Sequence, residues 1–222
     1  MKTMRSMKRL PAEPTPINLG DLAYQTIRQL ILQRELPGGS AVVEGRLAEE
    51  LNISRTPMRE ALVRLEGEGL LVRAGARSYS VRTVKASEHF QSLQVREWLE
   101  SKAIELAIGK IPMEKIADLR ERIEALKDTN YQEPIHWQVD DMLHMLCPEA
   151  SGNIVLARLI AQARVSNRLF ELMDPFGRVD DDREEHLAIL DALEAGDTEA
   201  AKQALATHFR NLGDYVMKRV RG

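Results

Sequence analysis

The sequence predicts a mainly α protein in two modules, an N-terminal winged helix-turn-helix followed by an all-α antiparallel helical bundle. Three observations predict it. Apolar residues recur at helical spacing, as in Met58, Ala61, Leu62 and Leu65. Between Glu44 and Val81 two short helix patterns are followed by two short strand patterns around a glycine. After Ser87 no further strand-like alternation occurs. The expected division is a flexible tail over 1–19, the winged helix over 20–84 and the bundle over 85–222.

In the first module, Asp21 is placed to cap a helix carrying Ala23, Ile27, Leu30 and Ile31, which the Leu36-Pro37-Gly38-Gly39 turn ends. Leu47, Ala48 and Leu51 give a short apolar face. Asn52 breaks that helix and Ile53 can plug the gap before the next. Ser54 can cap the second helix on the Thr56 amide, and Pro57 is tolerated because first-turn amides lack helical partners. Gly67 and Gly69 stop this helix. Leu70 to Arg73 and Ser78 to Arg82 then read as a hairpin about Ala74-Gly75-Ala76-Arg77.

The second helix carries Arg55, Thr56 and Arg59 near its start, beside the apolar stripe. Side chains there reach base edges and phosphates, and the planar arginine fork pairs bidentately with guanine. Arg77 on the hairpin can touch a phosphate or the minor groove. The partner this implies is double-stranded DNA, and the bland alternative is a helical subdomain with solvated arginines. The stretch LAEELNISRTPMREALVRLEGEGLL resembles the winged helix of GntR-type bacterial transcription regulators over roughly residues 20 to 83. That resemblance implies that Arg55, Thr56 and Arg59 contact DNA and that Gly75 is the wing-tip glycine. The family often has an arginine directly after the glutamate matched by Glu44. This chain has Gly45 there, leaving Arg46 as the candidate phosphate contact.

Composition bounds the rest. A chain of 222 residues, 44% hydrophobic and 29% charged, suits a soluble globular protein. It shows neither an apolar run of membrane-spanning length nor the apolar core of a signal peptide. Its single cysteine, Cys147, permits no intrachain disulfide, in keeping with a reducing cytoplasm. Residues 1 to 85 hold 14 Lys and Arg against 9 Asp and Glu, a net +5, whereas the remainder holds 17 against 25, a net −8. A basic front half and an acidic back half fit a DNA-binding module tied to another kind of module.

Six helices are expected in the back half. Ser87 can cap one with Leu99, Ala103 and Leu106; Pro112 opens one with Ile116, Leu119, Ile123 and Leu126. Pro134 opens the third, and Asn153 caps a long one to about Met173. The last two run from about Asp182 to Ala195 and from Thr198, capped by Asp197, to about Val220. Histidines sit on apolar stripes: His186 with Ile189, Leu190 and Leu193, and His208 with Leu205 and Leu212. Asp140 and His144 lie one turn apart and converge. Three imidazoles and a carboxylate from three helices can furnish a transition-metal site, or each can be a satisfied core residue. His136 and Cys147 lie close enough to join or replace them, and His89 is expected to face solvent.

This spacing, with R-x-x-L-E at Arg96 to Glu100 and EAGD at Glu194 to Asp197, resembles the FCD effector domain found in the FadR subfamily of GntR regulators. The resemblance implies Asp140, His144, His186 and His208 as ligands to a divalent transition metal, zinc foremost, with nickel, manganese or iron as alternatives. It also implies that Arg96 turns inward toward a small carboxylate effector. Arg164, Asn167 and Arg168, which interrupt a long apolar helix, are further effector candidates. The function expected is an effector-responsive regulator, a repressor acting as a homodimer, and not an enzyme. The rival is a metal-dependent hydrolase, for which no free general base stands at a recognisable spacing. A third reading makes the metal a structural staple.

Overall fold

Asn18 opens the first helix in the computed structural model of the protein, which describes residues 18–127, 134–173 and 178–221. The tail expected over 1–19 therefore lies almost wholly outside the described residues. Helix α1 (Leu19–Leu32) is capped by Asn18, whose Oδ1 accepts from the Gly20 and Asp21 amides at 3.0 and 3.4 Å. Asp21 is not the cap. It lies in the first turn, where the helix dipole favours an acid, and pairs with Arg64 at 3.2 Å.

Strand β1 (Ala41–Val43) leads into α2 (Glu44–Glu50), and Asn52 then turns the chain at φ 51°. Helix α3 (Arg55–Gly67) follows, with Ser54 extended at its start but making no side-chain cap bond. Strands β2 (Leu71–Gly75) and β3 (Ser78–Val81) form the wing, with β1 on its far edge in the order β1-β3-β2. Strand β1 was not foreseen, because three residues are too few to show an alternation. The core of this part joins Ala23, Ile27 and Ile31 of α1 to Met58, Ala61, Leu62 and Leu65 of α3. Each such aliphatic side chain contributes roughly 1.5–3 kcal/mol by leaving water.

Six helices follow among the described residues: α4 (Ala86–Ala107), α5 (Met113–Glu124), α6 (Pro134–Ala150), α7 (Ile154–Met173), α8 (Val179–Glu194) and α9 (Thr198–Arg221). Asn153 and Asp197 cap α7 and α9 as expected, accepting from the Leu156 and Ala200 amides. Helix α8 starts ahead of Asp182 because Asp180, Asp181 and Asp182 suit the first turn of a helix. Helix α4 packs against α6, α7 and α9, and the core is filled by Ile123, Ile160, Leu190 and Val216.

The stripe that α4 buries is polar as well as apolar: His89, Ser92, Arg96 and Glu100 lie inside with Leu93, Ala103 and Ala107. His89, expected at the surface, has no exposed area and stacks on Phe170 at 4.4 Å. The two parts of the chain are packed together. Trp137 of α6 and Leu169 and Leu172 of α7 enter the winged-helix core. The guanidiniums of Arg34 and Arg168 lie over the Trp137 ring at 5.6 and 5.0 Å. Arg82 ties the wing to Glu88 and Ser166.

Candidate nucleic-acid interface and candidate metal centre

At the front, α3 presents Arg55, Thr56 and Arg59 exposed on its first turns, because Met58, Ala61, Leu62 and Leu65 take the opposite stripe inward. Arg59 is held by Glu44: its Nε and Nη2 donate to the two carboxylate oxygens at 3.0 and 2.8 Å. Glu44 is 2% exposed, and Arg59's hydrogen bond holds its carboxyl below the usual range, with help from Arg77 and Arg55 nearby. One buried carboxylate thus gathers three of the arginines expected at DNA. The wing closes onto the same spot, since the Glu44 amide donates to the Arg77 carbonyl at 3.3 Å.

Arg46 is exposed and pairs with Glu50 at 2.8 Å, at the rim of this patch. At Gly45 a β-carbon would lie 3.9 Å from Arg55 Nη2, an ordinary contact, so the Arg55 guanidinium passes beside this position without crowding it. Gly75 ends β2 beside the exposed Ala76 and Arg77. A β-carbon there would lie 2.8 Å from Ser78 Oγ, so any larger residue would make the Ser78 hydroxyl rotate away.

In the bundle, His144 of α6, His186 of α8 and His208 of α9 meet. Each offers a ligand atom, and all three atoms lie within 4.8 Å of one another. Asp140 Oδ1 stands 3.5 Å from His144 Nε2 and 3.7 Å from His186 Nε2. Two carboxylates outside the cluster aim the rings. His144 Nδ1 is 2.6 Å from Glu100 Oε2, and His208 Nδ1 is 2.8 Å from Glu185 Oε2. A carboxylate at Nδ1 accepts a hydrogen bond from Nδ1–H, which keeps the proton there and leaves Nε2 as the lone-pair donor, the arrangement common behind metal-bound histidines.

The Nε2 atoms of His144 and His186 are buried and have no hydrogen-bond partner. Burial pushes the His144 imidazole down to about 4 and that of His186 well below its ordinary value. Both are therefore neutral near pH 7, the form that binds a metal. Burial opposes ionisation of Asp140, but Arg164, His144 and Arg168 outweigh it and hold the carboxyl well below its usual range. These residues fit a divalent ion. Asp182, Glu185 and His208 make a second group of potential ligands. There Arg178 already occupies both carboxylates, at 3.0 and 2.7 Å.

Beside the histidines is a cavity of about 50 Å³, lined also by Arg96, Glu171, Arg178, Asp182 and Arg183. That is room for a few waters, so a larger ligand must part the side chains. Arg96 Nη2 and Arg183 Nε are buried without acceptors. Burial lifts the carboxyls of Glu171 to about 7 and Asp182 to about 6. Arg164 and Asn167, expected at the effector, do not line this cavity. Arg164 Nη2 is drawn to Asp140 Oδ2 at 2.7 Å and to Asp141. Asn167 accepts from Arg96 at 3.2 Å and donates to His89. Both stand behind the groups they position. His136 lines the cavity, while Cys147 lies in the bundle core.

Glu100 and Glu185 were missed from sequence, although Glu100 closes the R-x-x-L-E run and Glu185 adjoins His186. Their role depends on which helix faces them, and spacing within one helix is silent on that.

Residues 19–81 match the gntR family of bacterial regulatory proteins, and residues 91–211 match the FCD domain. The chain is 31% identical over 218 residues to the Uxu operon transcriptional regulator of Escherichia coli, covering 86% of this chain and 84% of that protein. It is 26% identical over 185 residues to the Nta operon transcriptional regulator of Aminobacter aminovorans, covering 83% and 88%. The fold matches that of E. coli McbR/YncC with a TM-score of 0.77 at 23% identity, over 92% of this chain and 99% of that one. Such relatives are transcription regulators and lend the hydrolase alternative no support. No described helix is long and apolar enough to cross a membrane. With a GntR winged helix in front and an FCD domain behind, the chain belongs to the GntR family of transcriptional regulators, with the architecture of its FadR-like subfamily.

Proposed function

We propose that this regulator is a homodimeric repressor whose grip on a two-fold DNA operator is set by a small carboxylate bound beside a divalent metal. The division into 1–19, 20–84 and 85–222 then separates tail, reader and sensor. One observation carries the sensor half: the partnerless buried Nε2 atoms of His144 and His186 converge with His208 and Asp140. Asp140, His144, His186 and His208 would hold the ion, and imidazoles with one carboxylate suit zinc, with nickel, manganese and iron as alternatives. The bound ion would supply positive charge for an anion. Arg96 and Arg183, each with an unmet buried N–H, would provide donors for a carboxylate, and Glu171 and Asp182 would accept from any hydroxyl the same ligand carried.

In the reader half, Arg55, Thr56 and Arg59 would contact base edges, Arg46 and Arg77 the phosphates, and the close turn at Gly75 would aim the wing. The two halves are joined through Asp140. It faces the histidines with one oxygen and Arg164 and Arg168 with the other, and Arg168 donates to the Trp137 carbonyl at 3.1 Å beneath the winged-helix core. An effector that parts the cavity walls would act through its different affinity for the two arrangements.

Exposed apolar residues on two helices support pairing with a second copy. Val95 and Trp98 on α4 and Val155 and Leu159 on α7 are exposed, Trp98 at 62%. These two helices pack on each other, with the Ser92 hydroxyl donating to the Ala163 carbonyl, and their exposed apolar residues would be the patch a second copy covers. In this arrangement the two readers must span half-sites about 34 Å apart.

The test is titration of metal-loaded protein onto operator DNA selected from a random pool, repeated across a panel of small carboxylic acids. Selective DNA binding weakened by one acid is expected. Selection that enriches no sequence would overturn the reader, and acids that change neither melting nor DNA affinity would overturn the sensor.

A further inference from the structure

The cavity at the histidines is smaller than a cleft elsewhere in the molecule. Between α1 and the α6–α7 pair lies a space of about 500 Å³, walled by Gln25, Arg28 and Gln29 on one side and by Gln138, Arg164 and Arg168 on the other. We propose that this interdomain cleft is a second ligand site, for a small oxyanion such as a phosphate or a dicarboxylate, distinct from the histidine cavity.

Arg164 and Arg168 carry the argument. Their side chains are 7% and 9% exposed, and they line this cleft but not the histidine cavity. Each spends Nη2 on Asp140 and Asp141, and each keeps a buried Nη1 with no hydrogen-bond partner, that of Arg168 standing 3.9 Å from Glu171 Oε2. A buried charged donor left unmet is costly, and two such donors one helical turn apart are placed to share the oxygens of one anion. Arg28 faces them across the space from α1 and makes no ion pair among the described residues. Gln25, Gln29, Gln33 and Gln138 can donate to an anion without adding charge, and the two carboxylates on the walls are already engaged, Asp141 by Arg164 and Arg168 and Glu68 by Tyr24 and Arg64.

An occupant would bridge α1 of the DNA-reading part to α7 of the bundle. Arg164 and Arg168 share Asp140 with the candidate metal centre, but Arg28 lines only this cleft, so its substitution separates a failure of this site from a failure of that one.

The experiment is isothermal titration of the full-length, metal-loaded protein with inorganic phosphate and, separately, with succinate. Binding of either at one per chain is expected, weakened about tenfold or more by Arg28→Ala with metal content unchanged. Arg168→Lys keeps the charge that Asp140 and Asp141 need but removes the fork, and should weaken binding likewise. Preference for phosphate over succinate, or the reverse, identifies the class of oxyanion. No binding of either, or binding abolished by His144→Ala but untouched by Arg28→Ala, would overturn the proposal.

Discussion

Asp140 and Arg164 join the histidine cluster to the arginine layer behind it. Arg164 Nη2 donates to Asp140 Oδ2 at 2.7 Å, while Oδ1 of the same carboxylate stands 3.5 Å from His144 Nε2. The carboxylate cannot shift toward an ion without altering its hold on the arginine.

Arg164→Ala should therefore disturb two properties together. Removing one partner from a largely buried ion network costs about 3 kcal/mol of stability, read by urea unfolding. Metal affinity should fall roughly 10–100-fold, as when groups supporting a ligand are removed, read by competition with a chelator. Unfolding that shifts while metal affinity stays at the wild-type value would separate Asp140 from the ion.

Stripping the metal should lower the melting temperature, since an ion bound to the folded state alone stabilises by about 4 kcal/mol when present at roughly a thousand times its dissociation constant. Elemental analysis of the purified protein should give about one ion per chain, and His186→Ala should abolish it. An unchanged melt after chelation would count against the cluster as a metal centre.

Glu44 predicts an acid sensitivity. Its carboxyl is held below 4.5 in the folded chain, first by the Arg59 hydrogen bond. The pair therefore stabilises the fold fully above pH 4.5 and loses that contribution as pH falls through the lowered value. Melting curves from neutral pH downward should fall more steeply for the wild type than for Glu44→Gln; parallel curves would contradict this. At neutral pH, Arg59→Ala should cost about 1–3 kcal/mol of specific DNA binding, concentrated at one base position in a footprinting titration.

Trp137 belongs to α6 yet packs in the winged-helix core. Trp137→Ala should cost about 3–5 kcal/mol and split one cooperative unfolding transition into two in calorimetry. A single transition retained in the variant would show that the halves are coupled by other contacts.

Trp98→Glu should weaken self-association by about 2 kcal/mol if this exposed ring is an interface anchor. Sedimentation at micromolar concentration would show the shift toward monomer, and an unmoved equilibrium would place the interface elsewhere.

The sequence by itself determined the fold class, the helix positions and the four residues that converge on the candidate metal site. The periodicity of Met58, Ala61, Leu62 and Leu65, and of His186 and His208 among leucines, reports which face of each helix turns inward. Local patterns also carry the Asn153 and Asp197 caps and the break at Asn52. Only the tertiary structure decided what lies opposite those faces. His89 went inside because Phe170 and Asn167 of α7 received it, and Arg164 turned from the effector cavity because Asp140 and Asp141 of α6 were nearer. Glu100 and Glu185 gained their roles from histidines 44 and 23 residues away. A buried charge settles where its partners are, and partners from different helices are brought together by packing, which no spacing within one helix encodes.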